Sequence, residues 1–579
     1  MTKTLNGENI KMTKRLKIAL AQLNPVLGDS AGNAALLRAA RKQAATEGAD
    51  IVVASELFLC GYPPEDLVLK ASFVRHIREV ALALVAETAE PGPALIFGLP
   101  YMEEQKGAPA ETQLYNSVMV AQNGTYEIRH KVHLPNYSVF DEKRLFAAGP
   151  LPAPVHVCGV EIGLPICEDI WFSDVCQHLR TQGAELFVCI NGSPFERGKY
   201  KERRHHASQS CADTQLAMLY VNQLGGQDEL VFDGASFIIH PDGQVPLQMA
   251  DWEAGLVVAD MAQTAKGWRC VSEQQAVLQT GLASVYQAAM LGLRDYVEKN
   301  NFPGILLGLS GGIDSALCAA LGADALGPER VQAFLLPSQY TAASSFADAR
   351  LCAKRLGIKF NELPITDIVA ALEKMLTPAF ADTQMGDIAD ITAQNIQSRL
   401  RGLLLMALSN QSGSMLVTTG NKSEVSVGYA TLYGDMNGGY NPVKDIYKTE
   451  IFGLAKWRNE NHPKGALAPA GEVIPPSIIE KPPTAELKEG QKDEDNLPPY
   501  KVLDDILMGL VEEELDFATI IARGHKPEIV KQVEHLLYIS EYKRRQAAPG
   551  VKIGSRNFGL DRRYPITNGF REARLKDES

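Results

Sequence analysis

The sequence predicts two α/β domains in tandem, a first that mixes parallel crossovers with antiparallel hairpins and a second built on an open, doubly wound parallel sheet. Three observations carry this reading. At 579 residues the chain exceeds what one hydrophobic core usually supports. Through the first half, short apolar runs bounded by Gly, Pro and Asn alternate with helical stretches. From "NFPGILLGLSGG" onward the alternation settles into a regular strand, helix, strand succession.

Along the chain, residues 1–15 are expected as a disordered extension, with Met12 as an alternative start. A domain over 16–265 follows. Its strands are expected at "LKIALAQL", "ADIVVASE", "ALIFGLP", "LYNSVMVA", "GTYEIRHK", "VEIGLPIC", "ELFVCIN", "MLYVNQLG" and "GASFIIHPDG", and its first helices at "AALLRAARKQAATEG" and over 70–89. Residues 251–285 are less decided and read as a return connection, with 266–285 as linker. The second domain, 286–579, has strands at 304–309, at 331–336 and in "SMLVTTGN", with helices at 314–323, 344–356 and 391–409. Pro, Gly, Glu and Lys crowd 461–501, which predicts an irregular segment, either an ordered loop over a site or a mobile one.

A formal net charge of -12 gives no general attraction to a phosphate backbone, so nucleic acid is not an expected partner. Nine cysteines without a CxxC pair make neither a disulfide framework nor a zinc site, and a reducing cytoplasm is the expected setting. No apolar run reaches membrane-spanning length, so no membrane partner is expected.

In "LSGGIDSA" a strand ends near Leu309 and two adjacent glycines remove the Cβ atoms that would keep a ligand off the backbone. The helix that follows turns its positive end to the same place, which suits a phosphate. GxxxxGK[ST] is absent, so this is not a Walker loop. A carboxylate beside phosphates, Asp314, makes sense where it holds Mg²⁺ against them. The bland alternative is a tight turn with Ser310 or Asp314 as helix cap.

The segment resembles the ATP-binding loop of the N-type ATP pyrophosphatases, which split ATP into AMP and pyrophosphate. "NIQSRLRG" and "VTTGNKSEVSVGYATLYGDMNGGYNPVKDIYKTE" narrow the resemblance to the NAD synthetase family, as does Asp348-Ala349 in "FADARLCAKRL". The resemblance implies ATP contacts from Ser310, Gly311, Gly312, Asp314, Ser315, Thr419 and Lys422, with Mg²⁺ held by Asp314 and Glu424. It implies dinucleotide contacts from Asn395, Arg399, Asp435, Lys444 and Lys552, with Asn395, Arg399 and Arg401 alternatively at a nearby dimer surface and Lys552 with Ser555 closing on phosphates. Arg562 and Arg563 read equally as surface or interface residues.

"GLPICEDIWF" places Cys167 at a strand end. Most cysteines in such a pattern are buried small hydrophobes, and the two acidic neighbours would raise this one's pKa, so a nucleophile here needs a cation or base from elsewhere. "VVASELFLCGYPPEDL" and "IRHKVHLPNYSVFDEKRLF" offer Glu56 and Lys131 after strands of their own. These three contexts resemble the nitrilase and amidase superfamily, whose fold is an α-β-β-α sandwich. The resemblance makes Glu56 the general base, Cys167 the nucleophile and Lys131 the oxyanion-stabilising cation, with Glu142 positioning the lysine. It also places Tyr62, Ser193 and Phe195 beside a glutamine pocket, and leaves Arg203 as a salt-bridge partner. His205 and His206 are adjacent on a helix and make no zinc pair. His130 and His133 flank Lys131, but a Cys-His enzyme would leave Glu56 and Lys131 unexplained.

Over residues 16–570 the domain order is that of the glutamine-dependent NAD synthetase family. The resemblance implies that the first domain releases ammonia from glutamine. The second then uses ATP and that ammonia, passed through an enclosed tunnel, to amidate nicotinate adenine dinucleotide to NAD. A homo-oligomer is expected. Two alternatives stay open: a ligase that uses the same ATP chemistry on another acceptor, and a non-enzymatic ATP-binding protein.

Overall fold

The structure is a computed structural model that describes residues 2–5, 8–11, 14–104, 112–382 and 390–572. The chain forms two compact units, Met1–Gln227 with Val231–Gln279, and Asp228–Leu230 with Thr280–Ser579. Within the expected extension, Thr2–Leu5 and Glu8–Lys11 pair antiparallel, and the first long strand already begins at Arg15.

The first unit is built on two seven-stranded sheets. One has Arg15–Gln22, Ile51–Val53 and Ala94–Glu104 as parallel neighbours, continued antiparallel through Thr112–Gln122 and Thr125–His130. The other has Val160–Gly163, Leu186–Asn191 and Met218–Asn222 in parallel at its centre. Both faces of these strands are buried, and the period of two assigns them. Leu186, Val188 and Ile190 join Ile18, Leu20, Ile51 and Ile96 in one core between the sheets. Phe187 and Cys189 point the other way, onto the helices Ser173–Thr181 and Lys199–Thr214 through Val175, Leu179, Ala207 and Cys211. Helices Ser30–Thr46 and Ala71–Glu87 bury Leu37, Ala40, Ile77 and Leu84 in the same way beside the first sheet. The order is helix, sheet, sheet, helix, as the resemblance implies.

The undecided stretch 251–285 contains a ten-residue strand, Gly255–Thr264, paired antiparallel with Arg15–Gln22 from Gly255 opposite Gln22 onward. Gly267–Cys270 then returns along it, burying Trp268, and Leu282 starts a helix, so the segment expected as linker holds two short strands, Gly267–Cys270 and Gln274–Gln275, and the start of that helix. Its partner lies at the other end of the domain sequence, which no local pattern announces.

The second unit carries a four-stranded parallel sheet in the order Lys359–Glu362, Val331–Leu335, Ile305–Gly308, Met415–Leu416. The chain builds outward on one side of Ile305–Gly308 and then returns to its other side. That reversal opens a crevice at the carboxyl ends of Ile305–Gly308 and Met415–Leu416, the place where doubly wound sheets bind ligands. The helices Ile313–Leu326, Ala343–Leu356 and Asp390–Ser412 cover the sheet, and 461–501 is irregular apart from Pro476–Glu480 and a short turn at Asp493–Asp495. Among the described residues no helix is long and apolar enough to cross a membrane.

Candidate functional sites

In the first unit, Glu56, Lys131 and Cys167 each follow a sheet strand: Ile51–Val53, Thr125–His130 and Val160–Gly163. Their side chains converge. The Lys131 ammonium is wholly buried and donates to Glu56 Oε1 at 2.7 Å and to Glu142 Oε1 and Oε2 at 3.0 and 2.9 Å. Asn116 Nδ2 donates to Glu56 Oε1 at 2.8 Å and to Glu142 Oε2 at 3.3 Å, and the Gly192 N–H donates to Glu56 Oε2 at 2.7 Å. Two carboxylates thus share one cation and one amide in a dry site, where such bonds are strong and an unpaired group would be costly.

The charges decide each protonation state. Burial alone would lower the Lys131 pKa, but Glu142 and Glu56 outweigh it and hold the ammonium well above its ordinary range. Burial pushes the Glu142 carboxyl up, with Lys131 opposing and Glu56 adding to the rise. The Cys167 thiol is raised by burial and then by Glu56, with Lys131 pulling the other way. Cys167 therefore rests as a thiol, and its attack needs a base. Its backbone sits at φ +46°, a left-handed conformation that non-glycine residues adopt at a cost and that recurs where a side chain must be presented.

Tyr62, expected at the glutamine pocket, is buried and donates its hydroxyl to Glu142 Oε1 at 2.9 Å. Its ring lies under Gly192, where a Cβ would come within 2.9 Å of it, so only glycine lets the Gly192 N–H reach Glu56 there. Ser193 Oγ accepts from Arg203 Nε at 2.9 Å, and Arg203, paired with Asp233 at 2.7 Å, also binds the Ser193 and Pro194 carbonyls. Phe195 packs on Trp252. These residues brace the loop after Leu186–Asn191. A cavity of about 570 Å³ opens beside the segment after Lys131, lined by Val132, His133, Tyr137, Glu168 and Phe172 among others. Tyr137 donates to both Glu168 oxygens at 3.0 Å. The sequence reading missed Asn116, Tyr137 and Glu168. Glu168 was read only as an acidic neighbour of Cys167.

In the second unit, the crevice holds a cavity of about 290 Å³. Ser310, Gly312, Asp314, Ser315 and Thr419 line it, as do Glu424 and Asp435. Gly311 has φ +82° and a Cβ there would meet the Ser345 carbonyl at 2.5 Å, so the turn requires glycine. Ser315 Oγ donates to the Gly312 carbonyl at 3.0 Å and accepts from the Ser310 N–H at 3.2 Å, which closes the turn under the cavity. Lys448 Nζ spans two carboxylates, 2.5 Å from Asp314 Oδ2 and 3.0 Å from Glu424 Oε1. Asn421 Nδ2 donates to Asp314 Oδ1 at 2.8 Å. Burial, opposed by Lys448 and aided by Asp314 and Asp493, pushes the Glu424 carboxyl up to about 7. Arg401 also lines the cavity, its guanidinium lowered to about 10 by burial.

Five expected contact side chains, those of Lys422, Lys444, Lys552, Asn395 and Arg399, do not line this cavity. Lys422 Nζ is buried against Asp445 and Glu512 and donates to the Arg556 carbonyl at 2.7 Å. Lys444 pairs with Glu229 at 2.7 Å, and Lys552 with Asp561 at 2.8 Å. Asn395 Oδ1 accepts from the Thr431 hydroxyl at 2.9 Å, and Arg399 donates to the Leu432 carbonyl at 3.2 Å. Neither lines the cavity, whereas Lys448, Lys481 and Asp493, which sequence reasoning passed over, do. Two lysines, Lys444 and Lys448, stand within "VKDIYKTE" and a third, Lys422, in "GNKSE", and spacing does not say which of them faces the crevice.

Among the described residues no group of three or more His, Cys, Asp or Glu side chains could hold a metal by itself. Asp314 and Glu424 supply two hard oxygen donors beside the phosphate-type turn. That number fits Mg²⁺, which commonly binds through one or two carboxylates together with substrate phosphates and water.

Residues 17–270 match the carbon-nitrogen hydrolase family and residues 285–547 the NAD synthase family. The glutamine-dependent NAD(+) synthetase of Rhodobacter capsulatus is 48% identical over 562 residues, which cover 97% of this chain and 100% of that one. The Thermotoga maritima protein of the same description is 40% identical, covering 96% and 100%. Among solved structures, that of glutamine-dependent NAD+ synthetase from Acinetobacter baumannii in complex with ADP has a TM-score of 0.74 and 39% identity, covering 96% of this chain and 100% of that one. A glutamine-dependent NAD(+) synthetase from Cytophaga hutchinsonii has a TM-score of 0.79, at 22% identity and coverage of 97% and 99%, and shares the fold.

Proposed function

The chain belongs to the glutamine-dependent NAD(+) synthetase family, and from that premise we propose how its residues divide the work of ATP-driven NAD formation. In the first unit Glu56 takes the Cys167 thiol proton as the sulfur attacks the side-chain amide carbon of glutamine. Lys131 stabilises the oxyanion. Glu56 returns the proton to the leaving nitrogen, ammonia departs, and a thioester remains on Cys167. Water, deprotonated by Glu56, then hydrolyses the thioester to glutamate and frees the thiol. Glu142, held by Tyr62 and Asn116, keeps Lys131 charged and aimed. Tyr137 and Glu168 border the cavity in which glutamine binds.

In the second unit the turn at Ser310 to Ser315, with Thr419 and Lys448, receives the phosphates of ATP. The nicotinate carboxylate of the deamidated dinucleotide attacks the α-phosphorus and pyrophosphate leaves. Ammonia attacks the resulting acyl adenylate, loses a proton, and displaces AMP to leave the carboxamide. Asp314 and Glu424 would hold Mg²⁺, which supplies charge neutralisation on the phosphates when bound. Asp435 stands on the dinucleotide side, and Asn395, Arg399, Lys444 and Lys552 support that surface through the contacts described above. A homo-oligomer in a reducing cytoplasm completes the proposal; light scattering on the purified protein tests the first part.

The observation that carries this reading is the pairing of a Glu56, Lys131, Glu142 cluster behind Cys167 with a glycine turn and two carboxylates in a doubly wound crevice on the same chain. Incubation with Mg²⁺, ATP, deamidated dinucleotide and glutamine, followed by chromatographic quantification, should give NAD and AMP in equal amounts. NAD from added ammonia but not from glutamine would refute the roles given to the first unit. No NAD from either source, but AMP with another acid, would refute the acceptor.

A further inference from the structure

Asp169 stands two residues beyond Cys167 and lines neither cavity, yet its carboxylate binds two of the three segments that carry the reacting groups of the first unit, those of Lys131 and Cys167. Oδ1 accepts the Val132 N–H at 3.0 Å and the His133 N–H at 2.8 Å. Oδ2 accepts the Ile166 N–H at 3.0 Å. Val132 and His133 are the two residues after Lys131, and Ile166 is the residue before Cys167. The side chain is 1% exposed.

The remaining main-chain contacts make this attachment decisive. The Lys131 N–H donates to the Asn116 carbonyl at 2.8 Å, and the Lys131 carbonyl accepts from the Gly149 N–H at 2.8 Å, which ties the lysine to its own sheet edge. Cys167 opens a short turn, Cys167–Trp171, at the end of a strand in the other sheet. Asp169 Oδ2 closes that turn on Ile166 while Oδ1 reaches the lysine segment.

We infer that Asp169 is a positioning residue for ammonia release, its carboxylate fixing the Lys131 segment against the Cys167 turn and so setting where the thiol meets the oxyanion-stabilising ammonium. The inference rests on the roles proposed above for Lys131 and Cys167. Only an ionised carboxylate accepts at both oxygens; an amide in its place would turn an NH₂ group toward backbone N–H groups. Burial pushes the Asp169 carboxyl up to about 6, while the His133, Ile166 and Val132 N–H groups and the Lys131 charge oppose that rise, so at neutral pH the accepting form prevails. Misplacement of a catalytic group by about 1 Å costs on the order of a hundredfold in rate.

The test is Asp169→Asn in the full chain, assayed with glutamine and with ammonia. Glutamine-dependent kcat should fall about 10- to 100-fold with KM for glutamine within about threefold, alkylation of Cys167 by iodoacetamide should change rate, and ammonia-dependent NAD formation should stay within about twofold. An unchanged kcat, a loss confined to KM, or an equal loss with ammonia would overturn the inference. Should Asp169→Asn not fold, Asp169→Glu replaces it under the same criteria, and failure of both to fold assigns Asp169 to folding and rejects the positioning role. Cys167→Ala and Lys131→Met run in parallel: if Cys167→Ala retains glutamine use, or Lys131→Met keeps more than about 10⁻² of the parent glutamine rate, the roles beneath the inference fail, independently of Asp169.

Discussion

The Lys448 ammonium lies 2.5 Å from Asp314 Oδ2, and each of the two residues stands in the first turn of its helix, Lys448–Glu460 and Ile313–Leu326. Both line the crevice, and Glu424 shares the same cation. Removing the cation would leave two half-buried carboxylates facing each other where the proposal above puts the triphosphate. Lys448→Met should therefore lower NAD formation from glutamine and from ammonia alike, by about 10²- to 10³-fold in kcat/KM. Steady-state assays with both nitrogen sources check it.

At the far ends of the same two helices Asp324 and Arg458 close a second pair, Nε to Oδ2 at 2.6 Å and Nη2 to Oδ1 at 2.9 Å, both side chains 0% exposed. The Tyr286 hydroxyl donates to Asp324 Oδ2 at 2.5 Å. Asp324→Ala strands a buried guanidinium and should cost about 3–5 kcal/mol of stability. Tyr286→Phe, which removes one donor, should cost about 1–2 kcal/mol. Urea denaturation followed by circular dichroism separates the two.

Lys422 makes the opposite prediction from Lys448. Its ammonium is locked between Asp445 and Glu512, and Asp445 also takes the Ile553 and Gly554 N–H groups at 2.7 Å. Lys422→Met should destabilise the second unit by about 3–5 kcal/mol, because it leaves the buried Asp445 and the half-buried Glu512 without their cation. ATP affinity, measured by calorimetry on the folded fraction, should change far less than in Lys448→Met.

These two lysines show what was legible in the sequence. Glu56, Lys131 and Cys167 each end a strand inside a distinctive local context, so their convergence could be anticipated, and so could the glycine turn with Asp314. Lys448 could not be, because which lysine of a polar run enters a crevice depends on the rotation of one helix against another. Asp169 was hidden for a different reason: its partners are backbone N–H groups, which every sequence contains. The pairing of Gly255–Thr264 with Arg15–Gln22 was likewise invisible, since it joins the two ends of the domain sequence.

Separation of the two chemistries is predicted by Cys167→Ala. Glutamine-dependent NAD formation should disappear while ammonia-dependent formation persists, because no residue of the second cavity is altered. Lys131→Met should behave similarly but leak, retaining roughly 10⁻³ of the glutamine rate. Loss of ammonia use in both variants would mean that the first unit supports the second structurally.

His240 sets an acid limit on stability. Its Nε2 lies 3.0 Å from the Cys270 N–H and its Nδ1 3.3 Å from Arg269 Nη1, so both ring nitrogens face donors. The neutral ring accepts at one of them, and protonation would remove that acceptor and turn N–H toward a donor at both. Burial first, and then the Arg269 charge, lower its pKa to about 4, with Asp242 opposing. In the unfolded chain the ring titrates near 6.5. Between about 6.5 and 4 the unfolded state therefore binds more protons than the native state, and stability falls as pH falls through that window. The contribution is fully present above pH 6.5 and amounts to at most about 3 kcal/mol. His240→Gln should flatten the dependence of unfolding free energy on pH between about 6.5 and 4 relative to the parent, while removing some stability at neutral pH. An unchanged slope in urea titrations at pH 7, 6, 5 and 4.5 would show that another group carries the acid sensitivity.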